Sequence, residues 1–161
     1  MCESDGKCGS CSGSASVPGG GKILAYNIRM KGFSILYSFE EFPGYAYTAG
    51  IEETWRQPEL IVFGLDYERS TLLLTEAANK IKEGVAFTEY DGHYLLENMS
   101  IMFLEIPADV ADRFMRETAS YHGEKKFRVL QMFWPDEQGL FPVDPQCSEE
   151  AKRRQPVLAD R

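Results

Sequence analysis

The chain holds four cysteines, and three of them stand at its start, as Cys2 and the pair Cys8-Gly-Ser-Cys11. Two thiolates separated by two small residues are within reach of one tetrahedral metal ion, or of each other in a strained disulfide, because the turn between them is tight. A structural zinc site needs a full tetrahedral set. The remaining thiol, Cys147, and the imidazoles of His93 and His122 lie far along the chain. Three readings of Cys2, Cys8 and Cys11 therefore stand together: a metal site, redox or covalent modification of accessible thiols, and a tail whose thiols do nothing essential. A reducing cytosol disfavours a permanent disulfide.

His93 is the next residue with chemistry to offer. Glu89 and Asp91 precede it closely, and an imidazole near carboxylates suits acid–base work once a partner is within hydrogen-bond reach. A single His after a turn glycine is more often a surface residue than a general base. Elsewhere, Thr48, Glu59, Gln131 and Asp136 are polar residues embedded in apolar stretches that would fold without them. They are candidates for a binding surface, or for hydrogen bonds internal to the sheet. Gly-x-Ser-x-Gly, phosphate-loop and dinucleotide glycine motifs do not occur.

The elements that must position these residues make an α+β fold: a mainly antiparallel sheet with two principal helices, behind a disordered tail. Residues 1–21 are mostly Gly, Ser and Cys, which predicts flexibility, and residues 22–161 are expected to form one domain. Within Lys22–Met30 the periodicity allows either a strand or a short helix. Phe33–Phe39 reads as a buried strand, Glu40–Gly44 as a turn, and Tyr45–Ile51 as a strand with Ala46, Thr48 and Gly50 on a small face open to close approach. Glu52–Gln57 reads as a polar loop. Pro58–Leu65 is nearly all apolar, as in a strand buried on both faces.

Asp66 is placed to cap a helix over Tyr67–Lys82 that Gly84 ends. Val85–Tyr90, His93–Met99 and Ser100–Ile106 read as strands, the first two joined across Asp91-Gly92. A second helix runs from Pro107 to about Tyr121, with Val110, Phe114 and Met115 facing the core. Phe127–Trp134 is the last strand. Ser148–Arg154 has room for at most two helical turns before Pro156.

Composition narrows the function classes. In 161 residues, 43% hydrophobic and 12% aromatic content supports one substantial core. A formal net charge of −8, with no basic run longer than Lys152-Arg153-Arg154, argues against a nucleic-acid partner. No apolar run approaches the ~20 residues of a membrane span, and no signal-peptide core is seen, so a cytoplasmic location is expected.

Tyr45-Ala-Tyr-Thr-Ala-Gly-Ile51, Pro58-Glu-Leu-Ile-Val-Phe-Gly-Leu65, Val129-Leu-Gln-Met-Phe-Trp-Pro-Asp136 and Gly139-Leu-Phe-Pro142, followed by Asp144-Pro145 and Gln155-Pro156, occur in one order. Together they resemble the bacterial domain-of-unknown-function 4262 family, over roughly residues 22 to 158. Cysteines near the N-terminus, like Cys2, are frequent in that family. The chain departs from the pattern in its Gly/Ser/Cys insertion and at Val143, where an aromatic residue is expected. The resemblance implies no catalytic residue. It does imply shared positions that are candidates for one surface or pocket: Tyr47, Thr48, Gly50, Pro58, Glu59, Gln131, Trp134, Pro135 and Asp136. The expected function is a binding or regulatory module with a protein or small-molecule partner. The alternatives are a small-molecule or flavin-dependent enzyme, using His93 or a cofactor between strands, and a metal-binding or modifiable cysteine tail.

Overall fold

The computed structural model of the protein describes residues 20–90, 92–96 and 99–159. The segment that periodicity leaves open is a helix, α1 (Gly20–Lys31). Its buried residues are Leu24 and Ile28, one turn apart. Tyr26 and Met30, which supply the strand-like alternation, stay 54% and 63% exposed. The neighbour decides the outcome, because Leu24 and Ile28 pack together on Ala49, and a strand would put Tyr26 on that same face whereas a helix turns it away.

Strands β1 (Ser34–Ser38) and β2 (Tyr45–Ala49) pair antiparallel, with Ile35 opposite Thr48 and Tyr37 opposite Ala46. β1 is half-buried rather than buried, since it forms an edge of the sheet, and composition does not encode a strand's place in the order. The expected polar loop after β2 is instead a short helix, α2 (Ile51–Trp55). Gly50, at φ 107, makes the turn into it. Trp55 lies so close to Gly32 that a Cβ there would come within 2.5 Å of the indole. β3 (Glu59–Phe63) is buried throughout, as its sequence predicts.

Helix α3 (Tyr67–Lys82) is capped by Asp66, whose carboxylate accepts from Arg69 N at 2.8 Å, and Gly84 follows its end at φ 102. Val85–Tyr90, expected as a strand, holds none. Phe87 stacks face to face on Phe103 at 4.4 Å, and Tyr90 takes φ 63, which no strand accommodates. Asp91, half of the expected hairpin turn, lies outside the described residues. β4 (His93–Leu96) and β5 (Met99–Ile106) pair antiparallel.

The helix expected to run to Tyr121 is two helices, α4 (Ala108–Phe114) and α5 (Arg116–His122), broken at Met115, whose φ −115, ψ 54 is not helical. Met115 is fully buried at this break. β6 (Val129–Phe133) and α6 (Glu149–Arg154) complete the fold. Among the described residues six helices therefore stand where two principal ones are expected.

The six strands among the described residues form one sheet in the order β1-β2-β3-β6-β5-β4. β3 and β6 are parallel, with Glu59 beside Val129, so the sheet is mixed, while the other pairings are antiparallel as expected. Parallel neighbours need a long crossover, and here it comprises α3, β4, β5, α4 and α5. Strand alternation divides the core between two faces. Leu60, Val62, Phe103, Leu130 and Met132 join α3 on one side. Ile61, Phe63 and Val129 join Ala111 and Met115 on the other, where Val143 also packs near Met102, Leu104 and Phe133. No helix among the described residues is long and apolar enough to cross a membrane.

Candidate functional site

At the end of β2 the chain turns into α2, whose first N–H groups have no partner within the helix. Gly50 has no side chain to supply one. Glu59, at the start of the adjacent strand, does so from a distance. Its Oε1 accepts from Gly50 N at 2.8 Å and Glu52 N at 3.3 Å, and its Oε2 accepts from Ile51 N at 3.2 Å. Thr48 Oγ1 donates to Oε2 at 2.7 Å and accepts from Leu60 N at 2.9 Å, replacing a ladder carbonyl where β2 and β3 part. Glu59 and Thr48 are both fully buried.

Helix α5 closes this node. His122 Nε2 lies 3.2 Å from Glu59 Oε1, its side chain is 6% exposed, and its ring stacks on Phe127 at 4.9 Å. Thr118 Oγ1 donates to Thr48 O at 2.8 Å. Two tyrosines tie the same helix to its surroundings. Tyr47 donates to the Glu117 carboxylate, and burial, then Glu117, push its hydroxyl pKa upward. Tyr121 donates to Glu53, which with lesser desolvation raises its pKa to about 12.

The small face of β2 is filled by protein. Ala46 is buried in the core against α3, and a Cβ on Gly50 would meet Ile28 of α1 at 2.8 Å.

The second group lies at the other end of the parallel pair. Trp134 donates its indole N–H to Phe63 O at 2.8 Å, and its backbone N and O pair with the Gln155 amide at 3.0 and 2.9 Å, as a strand neighbour would. Arg154 sits 5.2 Å over the indole and donates to Gly64 O at 2.7 Å. Asp136 accepts from Leu140 N and Gln138 N at 2.9 Å and from Ser148 N at 2.8 Å. The bonds from Leu140 and Ser148 are the chief reason its carboxyl stays below the usual range. The buried Cys147 thiol nearby is pushed up by burial and then by Asp136. Trp134 and Asp136 line a cleft of 590 Å³ between the first turn of α3, at Arg69, and α6, at Glu150.

The candidate residues thus fall in separate places. Thr48, Gly50 and Glu59 come together. Trp134 and Asp136 share the cleft. Gln131 is buried under the C-terminal segment, donating to Pro156 O at 2.6 Å and accepting from Leu158 N at 3.0 Å. His93 sits on β4, edge-on to Phe87 at 4.8 Å, with its buried Nε2 unpaired among the described residues. Cys2, Cys8 and Cys11 lie outside the described residues, and among the described ones no group of three or more His, Cys, Asp or Glu is arranged to hold a metal ion.

Sequence reasoning did not find His122 at Glu59, or Gln155 at Trp134. Only the Gln155-Pro156 match hinted at the second. The first has no local signal, because the partners are 63 residues apart.

Residues 27–148 match the model of a family described as Domain of unknown function (DUF4262). No curated protein and no solved structure matches the chain.

Proposed function

The chain belongs to the DUF4262 family, a domain of unknown function, and from its geometry we propose that it is a binding module whose ligand is a short stretch of a partner polypeptide. The observation that carries this reading is the 590 Å³ cleft beside Trp134. Its apolar surface comes from Met99, Trp134 and Pro135, and clefts of this size with an aromatic wall and a few polar groups are common ligand sites. Arg69 lies on one wall and Glu137 and Glu150 on others. The side-chain amides of Gln138 and Gln146 have no partner among the described residues, so they are free to pair with peptide N–H and C=O groups. A lining that mixes both charges with amides suits a polypeptide better than a phosphate or a lipid.

Selection from a displayed peptide library tests this. Peptides enriched on the wild-type protein, and lost on the Arg69→Ala/Gln146→Ala variant, support the reading. Enrichment of nothing, or of peptides that bind both proteins equally, overturns it.

A small-molecule enzyme is the second reading, and the Glu59–His122 pair favours it, since a carboxylate that orients an imidazole is a common acid–base device. It ranks lower because Glu59 and His122 line none of the clefts at Trp134, between α1 and α3, or beside α5. Carbethoxylation mapped by mass spectrometry tests access to the ring. Modification of His93 without His122 removes this reading.

A further inference from the structure

A second groove, of 570 Å³, runs between α1 and α3 over the β1 edge of the sheet. Its floor is aromatic and apolar, from Phe33, Ile35, Tyr37 and Trp55. Tyr37 lies against Tyr67 with ring centroids 4.6 Å apart and planes tilted by 37°, and Phe33 lies 6.3 Å from Trp55. Such a floor offers ring faces to a flat ligand. The walls are less expected. Along α3 the residues that line the groove are Tyr67, Thr71, Thr75 and Asn79, each four positions from the last, and then Lys82. Positions four apart share one helical face, so α3 turns its apolar stripe to the sheet and a polar stripe to this groove. From α1 come Asn27, Met30 and Lys31.

Hydrogen-bond supply and demand are unequal here. Tyr37 and Thr71 are joined at 2.5 Å, and Asn27 donates to Ser34 at 3.3 Å. By contrast, the indole N–H of Trp55, the side chains of Thr75 and Asn79, and the ammonium groups of Lys31 and Lys82 have no partner among the described residues. Among the described residues no Asp or Glu lines the groove, in a chain of net charge −8. An acidic protein that leaves donors and two cations around one groove, with no carboxylate among them, has assembled a surface complementary to negative charge.

The geometry points to a second ligand site in this groove, one that takes an oxyanion-bearing small molecule with its charged group toward Lys31 and Lys82 and any ring against Trp55. A carboxylate and a phosphate share this chemistry. The site is separate from the Trp134 cleft, and each contains one of the chain's two tryptophans.

That division supplies the experiment. Indole N–H signals of the ¹⁵N-labelled full chain, assigned with Trp55→Phe and Trp134→Phe, are followed while inorganic phosphate, benzoate or the neutral analogue benzamide is added. The expected result is a saturable shift of the Trp55 signal with phosphate or benzoate, weaker at high salt, with Trp134 unmoved. Binding weakens about fivefold or more in Lys31→Ala/Lys82→Ala. Both lysines are exposed, so this variant folds. Asn79→Leu, a change at another exposed position, provides an independent loss of binding without altering charge. Response to phosphate alone identifies a phosphate site, and response to benzoate alone a ring-carboxylate site. A shift equal for benzamide, a shift unchanged in the lysine variant, or no Trp55 shift with either anion overturns the inference.

Discussion

Replacing Glu59 by Gln keeps the side-chain volume and removes one acceptor, so its cost measures how far this carboxylate caps α2 from outside the helix. Oε1 serves Gly50 N at 2.8 Å and Glu52 N at 3.3 Å, and faces His122 Nε2 at 3.2 Å. Oε2 serves Thr48 Oγ1 at 2.7 Å and Ile51 N at 3.2 Å. The amide must turn its NH₂ to one side or the other. The Oε2 side is the cheaper, because a hydroxyl can accept as well as donate and can turn its proton elsewhere, which leaves Ile51 N as the one backbone orphan. A buried backbone N–H without a partner costs about 1–3 kcal/mol, and the Gln variant is expected to lose that much. Glu59→Ala orphans the N–H groups of Gly50, Ile51 and Glu52 together, and the loss rises to about 3 kcal/mol or more. For a chain of this size each kcal/mol moves Tm by about 2–4 °C. Urea unfolding gives the free energy directly through the midpoint at constant slope. An exposed control, Glu40→Gln, stays within about 0.5 kcal/mol of wild type. If Glu59→Gln does the same, the remote-cap account of this residue is wrong.

Two more perturbations address the other end of the sheet. Gly64 takes φ 78, and a Cβ there would lie 2.7 Å from Arg154 O; Gly64→Ala therefore loses at least about 1 kcal/mol from backbone strain and displaces α6 from the Trp134 cleft, seen as a lower urea midpoint together with a changed Trp134 indole signal. Asp136 has its carboxyl held below the usual range by backbone N–H donors, so its contribution to stability is complete above that range and is lost as pH falls through the folded-state value. Stability of Asp136→Asn accordingly declines less steeply below about pH 4 than that of wild type, and parallel acid limbs in urea titrations across that range would contradict the assignment.

The elements that carry their own local signals were legible. Asp66 and Gly84 mark the ends of α3, and the nearly unbroken apolar run of Pro58–Leu65 gives a strand buried on both faces. What could not be read depended on distant neighbours. α1 is helical because Ala49 accepts Leu24 and Ile28 on one face. The parallel pairing of β3 with β6 joins segments separated by the whole crossover. The site divides in the same way. Glu59 and Thr48 stood out as polar residues in apolar surroundings, but their partners on α5 carry no spacing that links them to β2. Gln131 stood out for the same reason, and the structure occupies both ends of its amide with the backbone of the C-terminal segment.

Fluorescence titration of Trp55→Phe, in which Trp134 is the only indole, measures binding in the proposed cleft most directly. A peptide selected on the wild-type protein is expected to change the Trp134 emission saturably, and to bind about tenfold more weakly once Arg69→Ala and Gln146→Ala are added. A selected peptide that binds but leaves Trp134 emission unchanged, or binds the added variant equally well, contradicts the assignment of ligand binding to this cleft.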